Sequence, residues 1–537
     1  MTARTYEPMI GVGDYLRLNA QRFPDRDCFV TEDGTRHSFT EVNARVNRLA
    51  SSLAARGVTK GSRLAILAID SVAYYEVVLA SLKLGATYVP LNNRLTQAEV
   101  TTLLGRAEPT CVFASERYTE VARTAAEAVG GVRTLVALDG PGADGFEPYT
   151  DLVDQGEDVD PAVVVHDTDI VGLAFTSGTT GLPKGVLQSH GMIKALLSLQ
   201  DNEYEYLPGE FRYTASPAFH IAGQALVLDH IKRGFTTLIL PQFDDATTLR
   251  WIQEGGLTGC FLVPTMIRRI LDLPNVREGD YSHFRSIIYG AAPMPPTLLT
   301  EAMAVFGCRF IQAFGASTEG GMQAILTSED HVRALAGEAH LLGSIGRPIS
   351  GVELRIVDVD DRDVEVGEVG EIITRSDAVM SCYLEMPEKT EESLKGGWFR
   401  AGDLARRDAE GFLYLAGRSK DMIIRGGENI YPIEIETVLM DLPGVASTAV
   451  VGRPDDYWGE TVVAYLTVHE GAQLDPETVQ AHCREHLARF KVPEEVLIVP
   501  EMPLNASGKI LKRELRRFLV EGGPRAEVSE ASAGVTA

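Results

Sequence analysis

Ten consecutive residues carry the densest chemistry in the chain: Thr176-Ser177-Gly178-Thr179-Thr180-Gly181-Leu182-Pro183-Lys184-Gly185. Three glycines let backbone N–H groups approach an anion closely, four hydroxyls donate hydrogen bonds and one lysine adds positive charge, which together make a phosphate cradle. The spacing GxxxxGK[ST] is absent, so this is not a Walker A loop. An ordinary Gly/Ser/Thr surface turn is the competing reading, and it rarely combines so many phosphate-binding groups.

Such a loop has to be held by a framework. It follows an apolar strand candidate, Ile170–Phe175. Upstream, Val42, Val46, Leu49 and Leu53 recur at steps of three and four between Thr40 and Arg56, one apolar helical stripe ended by Gly57. Arg63–Ile69, Thr87–Leu91, Pro109–Ala114 and Val132–Leu138 are strand candidates, and Ser71–Leu84 is a helix between two of them. Strand–helix–strand order with short links predicts a parallel sheet packed between helices. The pattern resumes over 234–241, 259–271, 284–306 and 309–314. After about residue 340 short strands at Val352–Val357, Glu371–Thr374 and Gly411–Ala416, joined by Gly/Asp turns, predict an antiparallel β region. Beyond Gly417 comes a compact tail: a helix over Pro432–Met440, strands at Ala449–Val451 and Val462–Val468, and a helix opened by Asp475 and Pro476 that is expected to reach Phe490. The expected fold is α/β: a large N-terminal domain of parallel α/β subdomains with a small antiparallel region (residues 1–417), a small mobile α+β domain (418–520), and a Gly/Ala/Ser/Glu-rich tail expected to be disordered (521–537).

Composition bounds the function. With 50 Lys+Arg against 75 Asp+Glu the formal charge is −25, which argues against gripping nucleic acid or an anionic membrane. The six cysteines form no CxxC pair, so neither a zinc ribbon nor a disulfide framework is expected. No apolar run approaches the length of a membrane span, and the N-terminus lacks a signal profile, so the expected setting is cytoplasmic.

The phosphate loop, with the motifs around it, resembles the AMP-forming acyl-CoA synthetases, within the adenylate-forming superfamily that also holds luciferases and carrier-protein-loading adenylation domains. The resemblance runs in order from Leu82-Lys83-Leu84-Gly85-Ala86 to Lys509. It implies that ATP with Mg²⁺ activates a carboxylate to an acyl adenylate, releasing pyrophosphate, and that the acyl group then passes to a thiol. By that resemblance Thr176, Ser177, Gly178, Thr179, Thr180, Gly181 and Lys184 hold phosphates. Gly290, Ala291, Ala292 and Pro293 offer a small flat surface to adenine. In Phe314-Gly315-Ala316-Ser317-Thr318-Glu319, Phe314 stacks on adenine, Thr318 meets the α-phosphate and Glu319 holds Mg²⁺, one carboxylate plus phosphate oxygens being a usual Mg²⁺ set. The family has one residue between Gly and Thr, where this chain has Ala316 and Ser317. Asp403 of Trp398-Phe399-Arg400-Ala401-Gly402-Asp403 accepts both ribose hydroxyls, and Arg418 also reaches the ribose; the competing reading of Arg418 is a surface salt bridge.

Lys509 matches the catalytic lysine that sits between the incoming carboxylate and the α-phosphate. Lys420 matches a hinge about which the small domain swings, exchanging Lys509 for the loop Arg425-Gly426-Gly427-Glu428, past which the pantetheine arm of CoA would run. The two glycines also fit a plain hairpin turn. Pro217-Ala218-Phe219-His220-Ile221-Ala222-Gly223 matches the start of the acyl pocket, with His220 beside the substrate carboxylate. Phe219, His220, Ala222, Gly223, Phe261, Gly290, Gln312, Ala316 and Ser317 are the expected lining. No aspartate stands in the Pro217–Gly223 motif to hold an α-ammonium, and the other segments expected to line the pocket, 260–265, 290–292 and 312–317, hold no Arg or Lys to pair a second carboxylate, so an apolar monocarboxylic acid is implied, whether fatty, alicyclic or aromatic. The expected acceptor is CoA, with loading of a carrier protein as the alternative and an adenylate-binding regulator as a non-enzymatic one. Oligomeric state, a homodimer among the options, stays open.

Overall fold

The computed structural model describes residues 10–176, 183–292, 294–315, 318–469, 471–504 and 510–521. Ser177, Gly178, Thr179, Thr180, Gly181, Pro293, Ala316, Ser317, Lys509 and the tail from 522 lie outside the described residues. The chain divides into two compact units, 1–354 with 373–401, and 355–372 with 402–537.

Two sheets build the first unit. One has eight strands in the order Cys382–Tyr383, Lys184–Ser189, Ile170–Thr176, Thr87–Pro90, Arg63–Leu67, Cys111–Ala114, Thr134–Ala137, Phe146–Pro148. From Thr87–Pro90 to Phe146–Pro148 every pairing is parallel. The other has nine strands, and its centre, Phe211–Thr214, Gly259–Leu262, Ser286–Gly290 and Arg309–Phe314, is parallel as well. The expected stripe becomes the helix Phe39–Ala55, started by a capping box of Ser38 and Glu41, and Val42, Val46, Leu49 and Leu53 are all buried. The helix Val72–Leu84 is buried continuously from Tyr74 to Leu84: it is mostly apolar, and its buried Glu76 and Lys83 are paired, Glu76 with Arg45 and Lys83 with Asp160. It ends at Gly85, whose φ of +63° suits a left-handed C-cap. One core joins both sheets through this helix, with Ile66, Tyr88 and Val171 on one side and Phe29, Ile288 and Ile311 on the other.

The phosphate run departs locally from the parallel expectation. Ile170–Thr176 pairs antiparallel with Lys184–Ser189, placing Thr176 opposite Lys184. The short connection explains this: seven residues separate Thr176 from Lys184 in the sequence, enough for a hairpin, whereas a parallel return needs a crossover of a dozen residues or more.

In the second unit a sheet runs Glu428–Ile430, Ile423–Arg425, Gly459–Val468, Val445–Asp455, with Glu495–Ile498 adding in parallel to Gly459–Val468. Its core is Ile423, Ile430, Ile435, Leu439, Val450, Val462, Val479 and Cys483. The helix capped by Asp475 spans Pro476–His486 and stops short of Phe490; Leu487 turns extended and packs on that core instead. Among the described residues no helix is long and apolar enough to cross a membrane.

Candidate adenylate and acyl site

Four side chains converge where the phosphate hairpin meets the segment after Phe314. Glu319 Oε1 accepts from Thr176 Oγ1 at 3.2 Å and from the Tyr383 hydroxyl at 3.4 Å, and lies 3.6 Å from Lys184 Nζ. Lys184 Nζ donates to the Tyr383 hydroxyl at 2.7 Å and sits 4.3 Å from the centre of its ring. The strands explain the meeting. Thr176 and Lys184 face each other across the hairpin, and Tyr383 pairs with Val186 on the next strand of the same sheet. The backbone carbonyl of Glu319 accepts from Met380 N at 2.7 Å, which pins the acidic residue to the stretch leading to Tyr383. Burial, reinforced by the Glu319 charge, pushes the Tyr383 phenol well above its ordinary range, so it stays protonated and can donate.

Among the described residues no three His, Cys, Asp or Glu side chains cluster as a metal cage. A single carboxylate beside a lysine and a phosphate loop instead fits a Mg²⁺ that arrives on a nucleotide, since that ion keeps waters and takes phosphate oxygens.

The surface that the sequence offers to adenine is built at the carboxyl ends of two parallel strands. Gly290 ends Ser286–Gly290 and pairs with Ala313 so closely that a Cβ would fall 2.4 Å from the Ala313 carbonyl. Ala291 then adopts φ +65°, a left-handed conformation costing an L-residue about 1–2 kcal/mol, and both Ala291 and Ala292 are exposed. Half-buried Phe314 ends the neighbouring strand Arg309–Phe314. At Gly315 a side chain would strike the Gly321 carbonyl at 2.2 Å, so the backbone turns there with no room for a Cβ. Thr318 is half-buried beside Glu319.

The acyl motif forms a tight turn into the helix Ile221–Arg233. His220 is its N-cap: Nδ1 accepts the Ala222 N–H at 3.2 Å, which places the imidazole proton on Nε2. Ser216 Oγ lies 3.4 Å from the same Nδ1. At Gly223 a Cβ would fall 2.3 Å from the Pro217 carbonyl, so only glycine lets the helix tuck under the turn. Phe219 and Ala222 are half-buried, and Phe261 is buried on the strand next to Phe211–Thr214. Gln312 is buried and its Oε1 lies 3.4 Å from the Tyr289 hydroxyl. That hydroxyl is 2.9 Å from His331 Nε2, and His331 Nδ1 donates to the Thr327 carbonyl at 2.6 Å; burial lowers the His331 pKa, keeping the ring neutral. The turn itself is anchored by Asp70, whose two oxygens lie 3.0 and 3.1 Å from Ala218 N.

In the second unit Asp403 and Arg418 are cross-strand partners, with Arg418 Nε donating to Asp403 Oδ1 at 3.0 Å. Lys420 lies in the short turn Ser419–Asp421. Arg425 is committed within its own unit: it donates to the Phe490 carbonyl at 3.0 Å, pairs with Glu494 and stacks 5.3 Å over Trp458. Gly426 and Gly427 form the two-residue turn between Ile423–Arg425 and Glu428–Ile430.

The profile of the AMP-binding enzyme family matches residues 16–384, and that of the AMP-binding enzyme C-terminal domain matches 434–509. The chain belongs to the AMP-binding enzyme family. Within it the chain stands with the AMP-forming acyl-CoA synthetases. It is 34% identical over 503 residues to a fatty acid–[acyl-carrier-protein] ligase of Streptomyces coeruleorubidus, covering 93% of this chain and 94% of that one. It is 35% identical over 504 residues to an indoleacetate–CoA ligase of Aromatoleum aromaticum, covering 93% and 95%. Among solved structures, an amide bond synthetase of Marinactinospora thermotolerans superposes with a TM-score of 0.84 at 29% identity, over 94% of this chain and 99% of that one. Two residues of this AMP-binding enzyme's site escaped sequence reasoning. Tyr383 carried no local signal, because its place depends on strand pairing. Asp70 carried one: an acidic residue just past the carboxyl end of an apolar parallel strand, where α/β sheets present groups to ligands.

Proposed function

We propose that this AMP-binding enzyme is an ATP-dependent acid–CoA ligase acting on an apolar monocarboxylic acid in the cytoplasm, where ATP and CoA are supplied. The convergence of Thr176, Lys184 and Tyr383 on Glu319 carries the nucleotide half of this reading. In it Lys184 exchanges Glu319 and Tyr383 for phosphate oxygens, and Glu319 is the residue that would hold Mg²⁺. Mg²⁺ supplies charge neutralisation on the triphosphate. The Nε2–H of His220 faces the acid as a donor, and Phe219, Ala222, Phe261 and Gly290 provide its small and apolar surroundings. Lys509 offsets the negative charge that develops as the carboxylate attacks the α-phosphorus. Asp403 parts from Arg418 far enough to take the ribose diol, a carboxylate being suited to two charge-assisted bonds. Swinging of the segment beyond Lys420 then brings the Gly426–Gly427 turn to the thiol's path.

Transfer to a carrier protein is the second reading, favoured by the 34% identity to a carrier-protein ligase. A panel of fatty, alicyclic and aromatic acids with ATP and Mg²⁺, assayed for pyrophosphate and then for product with CoA or a phosphopantetheinylated carrier, separates the readings. Acyl-CoA and AMP are expected. Thioester on the carrier alone selects the second reading, and absence of acid-dependent pyrophosphate release overturns both. Lys509→Ala is expected to lower adenylate formation by at least about 100-fold, the size of losing one transition-state contact, while ready-made acyl adenylate still reacts with CoA. Equal loss in both half-reactions would remove Lys509 from this role.

A further inference from the structure

Asp70 stands just past the carboxyl end of Arg63–Leu67 in the eight-stranded sheet, immediately before Ser71, the N-cap of Val72–Leu84. Ala218, whose N–H its two oxygens share at 3.0 and 3.1 Å, follows Phe211–Thr214 of the nine-stranded sheet and is 148 residues away. One side chain therefore ties together the carboxyl ends of a strand from each sheet. The turn it grips has little slack. His220 N donates to the Pro217 carbonyl at 2.9 Å, His220 Nδ1 accepts from Ala222 N, and Gly223 is pressed against the carbonyls of Ser216 and Pro217. A shift at Ala218 is passed two residues on, to the imidazole.

We infer that Asp70 is a positioning residue: its ionised carboxylate clamps the Ala218 N–H, fixes His220 at the mouth of the acyl pocket, and makes capture of the acid, but not of ATP, depend on its own ionisation. This rests on the proposed reading of residues 217–223 as the start of the acyl pocket. The groups facing Asp70 are Tyr74 and Tyr75 from the helix Val72–Leu84, Tyr213 from the strand Phe211–Thr214, Arg94 from the loop after Thr87–Pro90, and the turn carrying His220. Burial pushes the Asp70 carboxyl up to about 7, against the opposing pull of the Ala218 N–H and the Arg94 charge. Burial pushes the three phenols up as well, so they stay neutral. An N–H bond to a carboxylate is stronger than one to a neutral carboxyl, so the clamp is complete above its pKa and loosens below it.

Wild type and Asp70→Asn are compared from about pH 6 to 8, a range in which a carboxylic acid substrate stays ionised. In wild type kcat/KM for the acid falls several-fold toward the acid end. In Asp70→Asn it is low and flat, with KM for ATP within about twofold of wild type. An acid limb that persists in the variant, or an equal loss toward acid and ATP, overturns the inference. Hydrogen exchange at the Ala218 amide, corrected for the intrinsic pH dependence, reads the clamp in the wild-type chain without variant or turnover. Protection several-fold lower at the acid end supports the clamp, and unchanged protection overturns it. If no acid is activated, the proposed function fails while the exchange measurement still decides for or against the clamp.

Discussion

Tyr383 bridges Lys184 and Glu319, the two charged residues of the proposed nucleotide site. Its hydroxyl accepts from Lys184 at 2.7 Å and has its single proton to give to Glu319 at 3.4 Å, while the ring supports the ammonium. Tyr383→Phe keeps the ring and removes both bonds. Hydrogen bonds to charged groups are worth about 1.5–3 kcal/mol, so kcat/KM for ATP is expected to fall roughly 10- to 100-fold with KM for the acid unchanged. Because the phenol is pushed far above its ordinary range, the deficit should be the same at every pH between about 6 and 9. Initial rates against ATP at several pH values check this, and an unaltered ATP dependence would take Tyr383 out of the site. Glu319→Gln is expected to raise the Mg²⁺ concentration needed for half-maximal rate while the thermal transition stays put; a normal Mg²⁺ titration would detach Glu319 from the ion.

At the scale of elements, the Gly426–Gly427 turn is set by backbone conformation. Both residues have positive φ, +59° and +88°, the requirement of a two-residue hairpin turn of mirror-image type. A Cβ at Gly427 would meet no atom within 4 Å, so space is not what demands glycine there. Gly427→Val is expected to destabilise the second unit by about 1–2 kcal/mol, whereas Gly427→Asn, whose side chain tolerates positive φ, should cost much less. Denaturant melts of the two variants test the difference. Gly427→Asn is then the cleaner probe of thioester formation, since a loss in that half-reaction alone would support the proposed path of the thiol past Gly427. At Gly426 a Cβ would lie 2.9 Å from the Trp458 ring, so substitution there disturbs packing as well as the turn.

Over the whole molecule, buried histidines govern the response to acid. Burial drives the His190 pKa down to about 4 and also lowers those of His230 and His331. These rings hold a proton less tightly folded than unfolded. Their contribution is complete above about pH 6.5 and is lost as the pH falls toward 4, because the unfolded chain takes up protons first. Asp70 and Asp229, raised to about 7 and about 6 by burial, work the other way, since folded they keep their protons longer. The sum is a compromise, so the test is differential. His190→Gln should reduce the stability lost between pH 7 and pH 5 by about 2 kcal/mol for its unit, read from melts at both pH values. An unchanged pH slope would mean that the ring is already charged or solvated in the folded chain.

The order of the motifs, the stripe from Val42 to Leu53, the strand at Ile170–Phe175 and the glycine turn at 426–427 were legible along the chain, because each depends on residues within a few positions of one another. So was the family, since its motifs are short runs in a set order. The antiparallel return at Lys184–Ser189, the bridging of Lys184 and Glu319 by Tyr383, the engagement of Arg425 with Phe490 and Glu494, and the grip of Asp70 on Ala218 were decided only by the tertiary structure. Lys184 and Tyr383 are 199 residues apart and Asp70 and Ala218 are 148 apart, separations at which no local period or spacing links partners. Strand order within one sheet brings Lys184 to Tyr383, the meeting of strand ends from two sheets brings Asp70 to Ala218, and the desolvation that follows from that packing gives Asp70 and Tyr383 their altered acidity.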